Sequence, residues 1–152
     1  MEDAYIYDTV RSARGKGKKG SLNELTAVAL SAKILKELRE RNSLNTEEIE
    51  DVIWGNVTQV GEQGGCLARS AVIAANYSES TPGLSINRFC ASGLEAVNLA
   101  TNQVKGSAGN GYVAGGVEMM SRVPMGSDGA AVAVDPTCLL YTSDAADDGL
   151  CV

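Results

Sequence analysis

The chain has 152 residues, 44% hydrophobic and 21% charged, which is the balance of one folded globular domain and not of a disordered chain. Lys and Arg number 13 against 19 Asp and Glu, so the net charge is −6; this argues against nucleic acid as a partner, and no stretch approaches the ~18 apolar residues of a membrane span. There is no histidine, which excludes a Ser-His-Asp or Cys-His machine completed within these residues.

Along the chain, the pattern predicts strands alternating with helices. Residues 4–10 predict a short strand, followed by a Gly-rich loop over 11–20 whose cations, Arg11, Arg14, Lys16, Lys18 and Lys19, are expected to be solvated. Ser21-Leu22-Asn23-Glu24 has the capping-box form at a helix start. Leu25, Val28, Ala29, Ala32 and Leu35 then share one helical face. Residues 45–50 predict a helical turn and 51–57 a buried strand. After the loop 61–65, a second helix is expected over about 67–75. Pro82-Gly83 breaks the chain before a strand at 84–87. A third helix opens at Cys90, with Leu94, Val97, Ala100 and Val104 as its apolar positions, and residues 112–120 form an apolar strand. Such alternation implies βαβ units, right-handed crossovers and an α/β fold with a mostly parallel sheet and helices on both faces.

Beyond residue 129 the pattern decays. A small apolar run, 130–134, is interrupted by Pro136, and 137–152 has neither an amphipathic period nor a basic residue. The expected division is a domain over 1–129 and a truncated or non-family tail over 130–152, whose end looks like translated non-coding or adaptor-like sequence. The acidity is concentrated in the last 30 residues: after Arg122, the last basic residue, come five aspartates.

The cysteines are Cys66, Cys90, Cys138 and Cys151, with no CxxC pair, so the pattern offers no zinc site. Residues 1–10 lack the basic and apolar regions of a signal peptide, and free thiols in an intracellular, reducing compartment are expected. Cys90 stands out because it lies where a strand ends and a helix begins. Unpaired backbone N–H groups and the positive end of a helix dipole favour thiolate there and make the sulfur a better nucleophile. The small residues Ala91, Ser92 and Gly93 let a substrate carbonyl approach, and the Cys90 N–H could serve as an oxyanion donor. A buried structural cysteine fits the same residue chemistry. Cys66 reads as a packed thiol and Glu118 as a hydrogen-bonding group of an apolar strand more readily than as a catalytic acid. Met119 and Met120 read as core or pocket lining, and Phe89 is expected to pack beneath the Cys90 turn.

At Asn87, Cys90, Ser92 and Gly93 the sequence resembles the nucleophile motif N-x-x-C-x-S-G of the thiolase family, the acyl-CoA C-acyltransferases. Asp8-Thr9-Val10-Arg11 with Gly15-Lys16 is similar to the family's opening D-x-V-R-T-P-x-G-K, with Ser12 and Ala13 in place of Thr-Pro. The segment from Ala114 to Ser121 resembles its A-G-G-x-E-x-M-S, and Gly55-Asn56-Val57 and Ala68-Arg69 fall in register between these motifs. The resemblance covers about residues 4–129 and implies a partial thiolase-type domain. It also implies that Cys90 accepts an acyl group from acyl-CoA, in thiolysis of a 3-ketoacyl-CoA or condensation of acetyl-CoA. Coenzyme A thioesters are then substrates, no further cofactor is needed, and a homo-oligomer is expected of the full-length protein. In the family a histidine base and a second cysteine come from a second half; Cys138 and Cys151 lack that cysteine's C-x-G-x-G context. A catalytically incomplete fragment, a non-enzymatic assembly or binding module, and a ketoacyl synthase are the alternative readings. The Gly-Gly-Val-Glu-Met-Met-Ser segment favours thiolase.

Overall fold

The computed structural model describes residues 3–129. Three parallel strands, β1 (Asp51–Gly55), β2 (Gly83–Ile86) and β3 (Tyr112–Gly116), form a sheet in the order β2-β1-β3. Ile53 of β1 pairs with Leu84 on one side and Ala114 on the other. Val52, Ile53 and Trp54 are all buried, because a central parallel strand covered on both faces needs a continuous apolar run. The helices are α1 (Ala27–Asn42), α2 (Leu67–Ala74) and α3 (Ser92–Lys105), and 3-10 turns lie at Thr46–Glu48 and Gly61–Gln63. The crossover β1-α2-β2 runs one way along the sheet and β2-α3-β3 runs back past β1. Right-handed connections therefore set α2 and α3 on opposite faces.

α1 and α2 pack together over Val52 and Trp54, with Ala27, Leu35, Leu67, Ala68, Ala71 and Val72 fully buried. Polar bonds fix the contact. The Trp54 Nε1–H donates to Ser31 Oγ at 3.0 Å, and the Tyr77 hydroxyl donates to the Leu35 carbonyl at 2.9 Å. Arg39 of α1 donates to the carbonyls of Ala75 and Asn76, satisfying acceptors left over at the end of α2. On the other face, α3 lies against β1 and β3 through Ala96 and the half-buried Val97 and Ala100.

Several sequence-based expectations shift. Residues 4–10 form no strand: they have no ladder partner among the described residues, and Tyr5, Ile6 and Tyr7 are 71%, 74% and 93% exposed. They line an apolar cleft of about 1010 Å³ whose other wall includes β3, and their backbone makes no ladder with the open edge of that strand, so β-type side chains alone do not make a strand here. α1 begins at Ala27 instead of after Ser21. Thr26 is its N-cap, its hydroxyl accepting from Ala29 N at 3.1 Å, while 21–25 form turns. Leu94 points outward and is 64% exposed. β1 and β3 end at Gly55 and Gly116, and the residues beyond them turn away to build the polar cluster described next. The apolar run at 130–134 and the tail 137–152, with Cys138 and Cys151, lie outside the described residues.

Candidate active site

The start of α3 rests directly on the end of β1. A Cβ on Gly55 would come within 2.5 Å of the Ser92 carbonyl carbon and 2.6 Å of Gly93 N, so this approach requires glycine. Between β2 and α3, residues 87–92 make a tight turn. Asn87 Oδ1 accepts from Phe89 N at 2.8 Å, and Ala91 N and Ser92 N donate to the Arg88 and Phe89 carbonyls, each at 3.0 Å. Ser92 Oγ accepts from Arg88 N at 2.8 Å and donates to the Phe89 carbonyl at 2.6 Å. These bonds hold Phe89 at φ +46°, a left-handed conformation that costs a non-glycine residue about 1–2 kcal/mol. The Phe89 side chain does not pack beneath the turn; it is 72% exposed.

Cys90 sits at the crest of this turn, just outside the Ala91 N-cap, as an exposed free thiol. Among the described residues, nothing accepts a hydrogen bond from its backbone N–H. Cys66, also exposed, caps α2 at φ +60°, and its thiol donates to the Gly83 carbonyl at 3.2 Å. It lies beside the first residue of β2, whereas Cys90 follows the last, so the structure does not gather the two thiols into one site.

Glu118 is surrounded by donors. Its Oε2 accepts from Val57 N at 2.8 Å and Asn56 Nδ2 at 3.3 Å; its Oε1 accepts from Gln63 Nε2 at 2.8 Å and Thr58 N at 3.3 Å. Gln63, fully buried, also donates to the Thr58 carbonyl and accepts from Met119 N at 2.7 Å. The same loop reaches the thiol turn, since Asn87 Nδ2 donates to the Val57 carbonyl at 3.1 Å. Arg122 clamps the Gly61–Gln63 turn through Glu62, at 2.6 and 2.5 Å, and this bond is the main cause of the lowered Glu62 pKa. Met119 is buried and Met120 is 53% exposed, while the five cations of the 11–19 loop are all exposed. Gln63 and the buried Asn56 are the site residues that sequence reasoning passed over. Asn56 carried a signal in its register with the quoted motifs, whereas Gln63 carried none.

A sequence model described as the thiolase N-terminal domain matches residues 4–145. The chain belongs to the thiolase family. Over 126 residues it is 41% identical to a 3-ketoacyl-CoA thiolase of Colwellia psychrerythraea, covering 82% of this chain and 33% of that protein. A 3-ketoacyl-CoA thiolase of Chromohalobacter salexigens is 38% identical over 145 residues, 95% of this chain and 36% of the relative. The chain thus spans about a third of the length of the curated thiolases it matches. Among solved structures, the acetyl-CoA acetyltransferase of Bacillus anthracis superposes with a TM-score of 0.63 at 34% identity, over 67% of this chain and 26% of that one. The α/β fold and parallel sheet expected from sequence are those of this thiolase-fold neighbour. No helix among the described residues is long and apolar enough to cross a membrane.

Proposed function

We propose that this chain is the N-terminal portion of an acyl-CoA C-acyltransferase in which Cys90 carries the acyl group as a thioester. The observation that supports this reading is an exposed thiol at the crest of a turn abutting α3, on a residue whose own N–H has no acceptor among the described residues. In the proposed step the Cys90 thiolate adds to the thioester carbonyl of acyl-CoA, and the carbonyl electron pair moves to oxygen. The Cys90 N–H serves as one donor to that oxyanion. Collapse breaks the bond between carbon and the coenzyme A sulfur, which leaves as thiolate and takes a proton from water. The names of the relatives favour a 3-ketoacyl-CoA as the substrate class, and that of the structural neighbour an acetyl-CoA condensation.

Residues 1–152 contain no histidine, so we assign them acyl acceptance without turnover. The base that activates an incoming thiol or α-carbon contributes ~10²–10⁴-fold in such chemistry, and Glu118 is committed to holding a loop. Incubation of the 1–152 chain with acetyl-CoA, followed by peptide mapping, tests the proposal. One acetyl group on the Cys90 peptide, lost in Cys90→Ser, is expected, with no multiple-turnover thiolysis of acetoacetyl-CoA. A folded chain that acylates elsewhere or nowhere overturns the acceptor role and leaves a binding or assembly module. Cys90-dependent turnover overturns the assignment of a single half-reaction.

A further inference from the structure

The Cys90 turn is tied to the end of β3 by a chain of hydrogen bonds that the acyl-acceptor role does not itself require. Glu118 Oε2 accepts from the Val57 N–H at 2.8 Å, and the Val57 carbonyl accepts from Asn87 Nδ2 at 3.1 Å. Asn87 Oδ1 in turn accepts from the Phe89 N–H at 2.8 Å. Val57 is thus held at its N–H by a carboxylate and at its carbonyl by the Asn87 carboxamide together with the Gln59 N–H, also at 3.1 Å. The Asn87 amide orientation is fixed by the same bonds, since only Nδ2 can donate to a carbonyl and only Oδ1 can accept from an N–H. At the far end of this chain lies the Phe89–Cys90 peptide, whose left-handed Phe89 needs outside restraint and whose Cys90 N–H is unclaimed among the described residues.

We infer that Glu118 is a positioning residue for the thiol turn. Acting through Val57 and Asn87, it fixes the direction in which the Cys90 N–H is presented to the acyl carbonyl. The inference rests on the acyl-acceptor reading of Cys90, but it makes a separate statement about mechanical coupling. A carboxylate suits the task because its two oxygens accept all four donors of the cluster together. Glutamine at this position has one acceptor oxygen, and its amide nitrogen meets N–H groups, so the loop must re-orient. Attack on a thioester depends on the direction of the N–H donor, whereas alkylation by a small neutral reagent requires only an accessible thiolate.

The test compares two reactions of the same sulfur in the 1–152 chain. Glu118→Gln is expected to slow acetyl transfer from acetyl-CoA to Cys90 at least ten-fold, with alkylation of Cys90 by iodoacetamide within two-fold of wild type. Asn87→Asp keeps the acceptor for the Phe89 N–H and removes the donor to the Val57 carbonyl; it is expected to reproduce the same split. In the Asn87→Asp background, Glu118→Gln should add little further loss. Unchanged acetyl transfer, or a parallel fall in both reactions, overturns the inference. Because Asn87 is exposed, its variant keeps the test open if Glu118→Gln does not fold. Amide hydrogen exchange at Phe89, whose N–H is held by Asn87 Oδ1, separates the two readings. If wild-type Cys90 takes no acyl group, the acceptor reading fails; the coupling then stands on faster exchange in the Glu118 and Asn87 variants and falls if exchange is unchanged.

Discussion

On one side of β3, the donors of the 56–58 loop converge on a single carboxylate; on the other, the edge of the strand faces an open apolar cleft of about 1010 Å³ and pairs with nothing among the described residues. The first region is built from short polar bonds between segments some 60 residues apart, such as Val57 to Glu118. The second is bounded by residues 4–17, held at Asp8 by Arg41 at 3.1 Å and Asn42 at 2.8 Å, with Tyr5, Ile6 and Tyr7 left in solvent. Hydrophobic side chains gain nothing from a surface they do not cover, whereas buried polar groups lose heavily unless every one is matched. The thiol turn lies beside the region where matching is dense, although the buried Asn56 Oδ1 there has no partner among the described residues.

The contrast is broken most severely at Gly55. Gly55→Val drives side-chain atoms into the Ser92 carbonyl and should destabilise the protein by about 3 kcal/mol or more, measured by urea unfolding. A loss below 1 kcal/mol would mean that α3 does not bear on β1 as described. Gln63→Leu conserves volume but strips partners from Met119 N and the Thr58 carbonyl, for an expected loss of about 2 kcal/mol in the same measurement. A near-zero change would show that the polar cluster is dispensable. The smallest effect concerns the loose side. Asp8 has a pKa lowered first by its hydrogen bond from Asn42, then by the Thr9 N–H, with attraction to Arg41 a lesser cause. Its depressed folded pKa makes its tethering fully present above 3.8, the ordinary value, and lost as pH falls through the lower folded value. Amide exchange of residues 5–10 should therefore be insensitive to pH-linked release near neutrality and show it only in strong acid. Asp8→Asn should remove that transition; its persistence would mean that another group holds the segment.

Much of the architecture was legible because it is local. The βαβ alternation, the α2 and α3 segments and the thiol turn all follow from apolar period and turn residues read over short windows. The misplacements have non-local causes. Residues 4–10 have strand-like side chains, but a strand exists only when its backbone is paired, and across the cleft they form no ladder with the open edge of β3. Ser21 and Thr26 both precede helix-like patterns, and burial of Ala27, Ser31 and Leu35 decides for Thr26. Gln63 lies among glycines in a segment that reads as a solvated loop, yet it is completely buried because Glu118 and Met119, more than 50 residues on, need its amide. Phe89 reads as core by composition, but the φ that sets up the turn carries its ring outward.

Trp54 is the only tryptophan of the chain, 3% exposed, hydrogen-bonded to Ser31 of α1 and part of the wall of the cleft beside β3. The molecule therefore contains a single indole chromophore at the junction of its central strand, its first helix and its open edge. Its emission should be that of a shielded, hydrogen-bonded ring. Detachment of α1 would move it to longer wavelength without any label being introduced.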